Sequence, residues 1–244
     1  MREILENVST SPRLRRFATS YLMIYFIITL CVNLLVKYVP VLESSLLVCV
    51  KDLVVYFIEG SLLYGLMRGI VTKNYRFNEG IASFGETENY LLYLVYAVIN
   101  TLYNAIYSLT GGLAESKGTI GTIGLVLSVI LAVLRLIVNF GLVRLYFDRL
   151  LFGNNKVDIL RVIQGCAKTL SDSPKRVISA EIMLLVVKYV SMLLGVAIVS
   201  VVSPGVGGHW SVSFITSCLV TVHFGAMVYV WPVYYLYYKD TCEM

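Results

Sequence analysis

The sequence predicts an all-α fold, a polytopic membrane helix bundle of six transmembrane helices plus a cytoplasmic amphipathic helix. Hydrophobic residues make up 58% of the 244 residues and charged residues only 14%, whereas a globular domain carries about a quarter charged residues. The mean hydropathy is +0.78. Apolar runs of about 20 residues or more, the length that crosses a bilayer as a helix, recur along the chain. A soluble fold could not bury so much apolar surface, so we expect lipid to be its main solvent.

The clearest spans are residues 90–114 and 119–143. Only four residues, 115–118, separate them, and so short a link requires the two helices to be antiparallel. The helical pattern of the second span continues through 144–152 and ends at Gly153, followed by two asparagines, residue types that favour helix ends. The pattern therefore predicts a hairpin whose second helix runs on beyond the bilayer.

Two spans are predicted before this hairpin and two after it. Pro40 ends the first span, because proline lacks a backbone donor and biases its predecessor away from helix. Glu59 interrupts the middle of the second span, and the mixed charges and two glycines of 72–89 predict a polar loop. These four spans are expected at residues 17–36, 46–71, 177–202 and 211–238.

Residues 156–170 have apolar side chains at helical spacing and charged side chains between them, which predicts an amphipathic helix on the membrane surface. The segment 144–176 that contains it is basic. Anionic lipid headgroups are its expected partner rather than nucleic acid, because the membrane surface lies beside it. The candidate headgroup contacts are Arg144, Arg149, Lys156, Arg161, Lys168, Lys175 and Arg176.

Basic residues predict the orientation. With six spans both termini lie on one side, where the N-terminal segment, 68–89, 144–176 and the C-terminus together carry 15 of the 20 Lys and Arg residues. The opposite side carries only Lys37, Lys51 and Lys117. Since cytoplasmic loops are enriched in Lys and Arg, we expect a plasma-membrane protein with both termini in the cytoplasm.

Four charged residues fall within predicted spans: Glu59, Arg135, Glu181 and Lys188. Glu59 and Arg135 each lie nine residues from a basic residue at the inner boundary, which places both about 13 Å inside the bilayer. Lone charges there are costly, so two acids and two bases predict a mutually neutralised cluster. Two interpretations stay open: a charged cavity or pathway that opens to the cytoplasm, or ion pairs that fix helix packing.

Polar residues within the spans could line a solute path, although hydrogen bonding between helices is their commoner use. The candidates are Asn100, Asn104, Asn139 and His223. No P-loop, GxSxG or HExxH motif occurs, and the cysteines and histidines show no metal-ligand spacing. We therefore expect no cofactor and no metal. A lipid enzyme is the least supported class, because His223 lies at a different depth from Glu181.

The second half resembles a family of bacterial six-helix membrane proteins, loosely related to membrane domains found on glycerophosphodiester phosphodiesterases. The resemblance covers residues 119–240. Its features are a long fourth span running into RLYFDRLLFGNN, the basic segment VDILRVIQGCAKTLSDSPKR, and a last span that ends in Trp231-Pro232-Val233-Tyr234-Tyr235. It implies a six-helix architecture and a bacterial plasma membrane, and no particular mechanism.

The functional expectation is a non-enzymatic, transport-associated or permease-like component with a charged intramembrane cluster. The alternative is a membrane scaffold or regulatory protein that binds anionic lipids or a partner through the basic 144–176 segment. A protein partner or a homo-oligomer is compatible with both.

Overall fold

The computed structural model describes residues 12–38, 45–116, 118–152, 213–222 and 224–227, with isolated helical positions between 160 and 197. Throughout this described part, the secondary structure consists of helices and turns, without a β-strand. The prediction of an all-α fold is therefore confirmed for these residues. Most of the predicted amphipathic helix, most of the predicted fifth span and the last part of the predicted sixth span lie outside them.

The described residues before position 153 contain five α-helices. Two short 3-10 turns, Ser83–Gly85 and Thr87–Asn89, join the third helix to the fourth. Residues 213–222 and 224–227 are helical as well and are called the C-terminal helical segment below. The five helices are α1 (Pro12–Tyr38), α2 (Ser45–Val71), α3 (Phe77–Ala82), α4 (Tyr90–Ala114) and α5 (Thr119–Phe152).

The predicted polar loop at 72–89 is more ordered than its composition suggested. It contains α3 and both 3-10 turns, and the Ser83 and Asn89 side chains are buried. Tyr93 donates a hydrogen bond to the Ser83 carbonyl at 3.2 Å, and Tyr90 donates one to the Phe84 carbonyl at 2.8 Å. The segment is therefore packed onto the start of α4 through contacts that its local sequence does not encode.

Helix α2 is the centre of the bundle and packs against α1, α3, α4 and α5. Consecutive long helices are antiparallel. The C-terminal helical segment covers α1, where the Phe224 ring stacks on Tyr25 with centroids 4.3 Å apart. The end of the bundle at the 115–118 link is called the hairpin end below, and the opposite end, where Arg68 and Arg149 lie, is called the basic end.

Glycines allow α4 and α5 to meet closely at the hairpin end. A Cβ on Gly124 would lie 2.6 Å from the Leu113 carbonyl carbon, and one on Gly121 would overlap the Ser116 carbonyl. Gly118 has a φ of +75° in the link itself, a conformation that glycine adopts at little cost. The hairpin therefore depends on small residues at its closed end.

Among the described residues, two helical stretches are long and apolar enough to cross a membrane, Pro12–Val36 and Thr87–Ala114. Only 17% and 28% of their most apolar windows are buried within the protein. Large apolar side chains also remain exposed along α5, for example Leu125 at 60% and Val129 at 58%.

Candidate functional site

A cavity of about 390 Å³, lined by both polar and apolar residues, lies among α1, α2, α4, α5 and the C-terminal helical segment. Every residue that lines it belongs to the middle of its helix or to the half toward the hairpin end, and Glu59 and Tyr25 are the lining residues nearest the basic end. The polar lining residues are Tyr25, Thr29, Asn33, Lys51, Asp52, Tyr56, Glu59, Asn104, Arg135 and Thr216.

The carboxylate of Glu59 forms the floor of the cavity. Its side chain is only 5% exposed, and it accepts hydrogen bonds from the Tyr25 hydroxyl on α1 and, at 2.5 Å, from the Tyr96 hydroxyl on α4. Each carboxylate oxygen thus holds one protein donor. A carboxyl group has acceptor positions beyond these two, and Glu59 lines the cavity.

Arg135 supplies a cationic wall from α5. Its guanidinium carbon lies 4.4 Å from the centroid of the Tyr103 ring, a cation–π contact of the kind that contributes about 0.5–2 kcal/mol. A guanidinium carries its N–H groups in one plane, a donor arrangement that matches planar anions such as carboxylates. Next to it, Asn104 donates a hydrogen bond to the Tyr56 hydroxyl.

The rim of the cavity toward the hairpin end is polar as well. Lys51 and Asp52 form an ion pair of 3.1 Å, with side chains 28% and 24% exposed. Asn33 donates a hydrogen bond to the Ser217 hydroxyl at 3.0 Å, tying α1 to the C-terminal helical segment. The acids Glu59 and Asp52 thus balance the bases Lys51 and Arg135, and the lining has no formal net charge.

A cluster of buried tyrosines separates the cavity from the basic end. Tyr146 lies between Tyr64 and Tyr96, each 5.9 Å away between ring centroids. A Cβ on Gly60 would lie 2.6 Å from the Tyr146 hydroxyl and 3.0 Å from the Tyr96 ring. Glycine at the residue after Glu59 therefore lets two tyrosines close the space beneath the carboxylate.

Beyond the tyrosines, a hydrogen-bonded ion network closes the basic end. Arg68 pairs with Glu86, which also accepts a hydrogen bond of 2.7 Å from Asn89. Arg149 donates to Asn89 at 2.8 Å and pairs with Glu88 at 2.9 Å. The network connects the ends of α2 and α5 through the 3-10 turns.

One of the two interpretations that the sequence left open is a charged cavity that opens toward the basic end, where the cytoplasmic loops are predicted. In the structure, the polar lining extends from Glu59 toward Lys51 and the hairpin end, while tyrosines and ion pairs occupy the other direction. The tyrosine side chains fill the space that an opening to the basic end would need.

Comparisons of the chain with protein-family models, with curated proteins and with solved structures find no match. The chemistry of the cavity is therefore inferred from its own residues. Within the described ranges, no group of three or more His, Cys, Asp or Glu side chains could hold a metal ion.

The structure describes two of the four predicted intramembrane charged residues. Glu59 and Arg135 line the same cavity, and within the described residues they do not form an ion pair with each other. Glu59 instead accepts hydrogen bonds from two tyrosines, and Arg135 makes a cation–π contact with Tyr103. Glu181 and Lys188 lie outside the described residues.

Of the four polar residues that were predicted to line a solute path, Asn104 lines the cavity. Asn100 is buried and donates a hydrogen bond to the Tyr96 carbonyl at 2.8 Å, so its amide stabilises α4 itself. Asn139 is half-buried on α5, and His223 lies outside the described residues.

Arg149, a predicted headgroup contact, binds Glu88 and Asn89 within the protein instead of pointing away from it. Arg144 is half-buried and Lys175 is exposed. The remaining predicted headgroup contacts lie outside the described residues: Lys156, Arg161, Lys168 and Arg176.

Sequence reasoning missed the tyrosines that hold Glu59. A signal was present on α1, where Tyr21, Tyr25, Thr29 and Asn33 follow one another at four-residue spacing. Such spacing places polar groups on one face of a helix, and three of the four line the cavity. Polar stripes on apolar helices, rather than charges alone, would have located the site.

Proposed function

We propose that this chain is a six-span plasma-membrane protein, with both termini in the cytoplasm, that binds a small polar solute in the cavity as a transport-associated component. The observation that carries the proposal is that a buried carboxylate, Glu59, and a guanidinium, Arg135, line one cavity of about 390 Å³. Cavities of this size accommodate small molecules.

Exposed apolar side chains support the membrane location. Leu109 is 70% exposed on α4, and Leu193, at an isolated helical position, is 71% exposed. Soluble monomers rarely expose contiguous apolar surface of this kind, whereas lipid chains would cover it. The basic end, with Arg68 and Arg149, then faces the cytoplasm, and the hairpin end faces the opposite side.

The charges of the lining favour a zwitterionic solute. With two acids and two bases around the cavity, a solute of large net charge would meet no compensating charge. A molecule with an ammonium and a carboxylate group, such as an α-amino acid, can place its ammonium at Glu59 and its carboxylate at Arg135. Hydrogen bonds between ionised partners are about twice as strong as neutral ones.

Transport through this site requires the cavity to become accessible from the cytoplasmic side. The barrier in that direction is the tyrosine cluster under Glu59 and, beyond it, the network of Arg68 and Arg149. Each barrier combines residues of α2 and α5 with residues of a third segment. That segment is α4 in the tyrosine cluster and the 3-10 turn region in the network. A rocking of the α4–α5 hairpin against α2 would open them, in the manner of alternating access around a fixed site.

The test is equilibrium binding of radiolabelled solutes to the purified full chain in detergent. Four probes are compared. The first is an equimolar mixture of α-amino acids, and the other three are glucose, choline and benzoate, each tested alone. We expect saturable binding of the amino-acid mixture, weakened about tenfold or more by Glu59→Gln and by Arg135→Gln, since a charge-assisted hydrogen bond contributes about 1.5–3 kcal/mol.

Glu115→Gln is the matched control for the acid, because Glu115 is an exposed residue in the hairpin link. Arg15→Gln serves the same purpose for the base, since Arg15 is exposed near the start of α1. Both controls should bind the mixture like the unaltered chain. Absence of saturable amino-acid binding, or equal binding by the cavity variants and their controls, would refute the proposal.

A further inference from the structure

A second cavity, of about 440 Å³, lies at the basic end, on the opposite side of the tyrosine cluster from the first. It is formed between the first turns of α1 and the segment that links α2 to α3. The residues that line it are Arg13, Arg16, Phe17, Ser20, Lys73, Asn74, Tyr75, Arg76 and Phe77.

The lining carries four basic side chains, those of Arg13, Arg16, Lys73 and Arg76, and no acidic one among the described residues. Within the described residues none of the four takes part in an ion pair. The contrast is with Arg68 and Arg149 at the same end, each of which has a carboxylate partner. All four side chains are exposed. Like charges that line one cavity disfavour one another, and a bound anion would offset that repulsion.

Two aromatic residues that line the cavity beside the basic side chains, Phe17 and Phe77, pack against the core. Phe17 is only 3% exposed, its ring lies 6.0 Å from that of Tyr75 between centroids, and it packs directly onto Gly69 of α2. Phe77 lies against Tyr21 in the same manner, at 5.7 Å. These ring contacts join both sides of the cavity, the start of α1 and the segment before α3, to the core.

Lys73 has a backbone conformation that favours glycine. Its φ is +54°, directly after α2 ends and with its N–H bonded to the Ile70 carbonyl at 3.3 Å. Glycine is the usual residue at such a left-handed helix terminus because a side chain is strained there. A lysine at this position places a cation in the cavity at a cost in backbone strain.

We propose that this cavity binds a phosphate oxyanion, in the form of an anionic phospholipid headgroup or of free phosphate. Arginine and lysine are the side chains that bind phosphate oxygens in proteins. The cavity belongs to the end of the bundle that faces the cytoplasm in the topology proposed above, where anionic lipids attract basic groups. Its volume leaves room for the groups esterified to the phosphate. The site does not involve Glu59 or Arg135.

The experiment is a binding titration of the full chain in a non-ionic detergent at constant ionic strength. The probes are short-chain phosphatidylglycerol, short-chain phosphatidylcholine and inorganic phosphate. We expect Arg16→Gln and Arg76→Gln each to weaken binding of phosphatidylglycerol, and of inorganic phosphate if it binds, about fivefold. The reason is that one basic residue near a membrane surface contributes about 1 kcal/mol. Lys73→Gly should do the same while retaining the fold, because glycine relieves the strained φ.

Arg15→Gln is the matched control, since it removes the same charge from an exposed neighbour that does not line the cavity. Binding of phosphatidylglycerol alone would support the site as a lipid headgroup site, and binding of inorganic phosphate as well would support a site for free phosphate. Either result requires that Arg15→Gln bind normally. No binding of either anionic probe, equal binding of phosphatidylcholine, or a loss in Arg15→Gln equal to that in Arg16→Gln would overturn the proposal.

Discussion

At the scale of single residues, the most consequential group is the Glu59 carboxyl. It is buried, and within the described residues its direct partners are two tyrosine hydroxyls rather than a cation. Burying a carboxyl is costly unless hydrogen bonds compensate it. Tyr25 and Tyr96 approach from different helices, so Glu59 also fixes how α1 and α4 sit against α2.

Tyr96→Phe is expected to lower the free energy of unfolding by about 1–3 kcal/mol, because it removes a hydrogen bond from a buried carboxyl. Tyr21→Phe is the matched control. The Tyr21 hydroxyl is buried and, within the described residues, has no hydrogen-bond partner, so its removal should cost nothing or stabilise the protein. Thermal unfolding of both variants in one detergent measures the difference. Equal destabilisation by the two substitutions would contradict this account of Glu59.

The sequence located Glu59 and Arg135 because charges stand out within apolar helices. It did not locate Tyr25 or Tyr96, since tyrosine is frequent in this chain, with 18 residues, and is compatible with lipid-facing, interfacial and buried positions. Only the packing of α1 and α4 onto α2 brings their hydroxyls to the carboxylate. Which residues bind the Glu59 carboxyl therefore depends on tertiary packing and not on the local sequence.

At the scale of elements, the α4–α5 hairpin depends on backbone proximity at its closed end. Gly124 packs directly against the backbone of Ala114, with no space for a Cβ. Close approach at small residues is a principal source of attraction between helices in lipid, where the hydrophobic effect contributes little. Arg135 is held in the cavity by the same helix.

Gly124→Ala should destabilise the hairpin by about 1–3 kcal/mol, because the added methyl group overpacks against backbone atoms that cannot move aside. Gly111→Ala on α4 is the control. A Cβ there meets no atom within 4 Å, and replacing a helical glycine by alanine stabilises by about 0.5–1 kcal/mol. The signs should therefore be opposite in thermal unfolding; a Gly124→Ala variant as stable as Gly111→Ala would disprove the close contact.

The bounds of α4 and the C-terminal end of α5 were predictable because a run of apolar residues that ends at charged residues or glycine gives both the length and the ends. Helix α1 instead begins at Pro12, before the predicted start of the first span at residue 17. Helix α4 begins and ends at the predicted residues, and α5 continues to Phe152 as expected. The 72–89 segment was not predictable. Its turns are stabilised by Arg68 and Arg149, which approach from α2 and α5, and local composition contains no information about those partners.

At the scale of the whole molecule, the two ends of the bundle differ in chemistry. The hairpin end contains the charge-balanced cavity above Glu59. The basic end contains the ion network and the second, cationic cavity near Arg16 and Lys73. The tyrosine cluster lies between them. Counts of basic residues predicted which end is basic. The position of the cavity above Glu59 depends on how side chains fill the bundle, which those counts do not describe.

We propose that the cavity above Glu59 is open to water from the non-cytoplasmic side of the membrane. Val55 lines the cavity, whereas its neighbour Val54 is 49% exposed on the outside of the bundle, where lipid would cover it. The measurement uses chains in which the five native cysteines are replaced by serine and one cysteine is introduced, Val55→Cys or Val54→Cys. A charged, membrane-impermeant methanethiosulfonate is then added to intact cells.

We expect this reagent to modify the Val55→Cys chain and to leave the Val54→Cys chain unmodified, because thiols react as thiolates in water and not in lipid. Amino acids added in excess should slow the modification of Val55→Cys. An unreactive Val55→Cys chain, or one that reacts only after the cells are permeabilised, would contradict the claim.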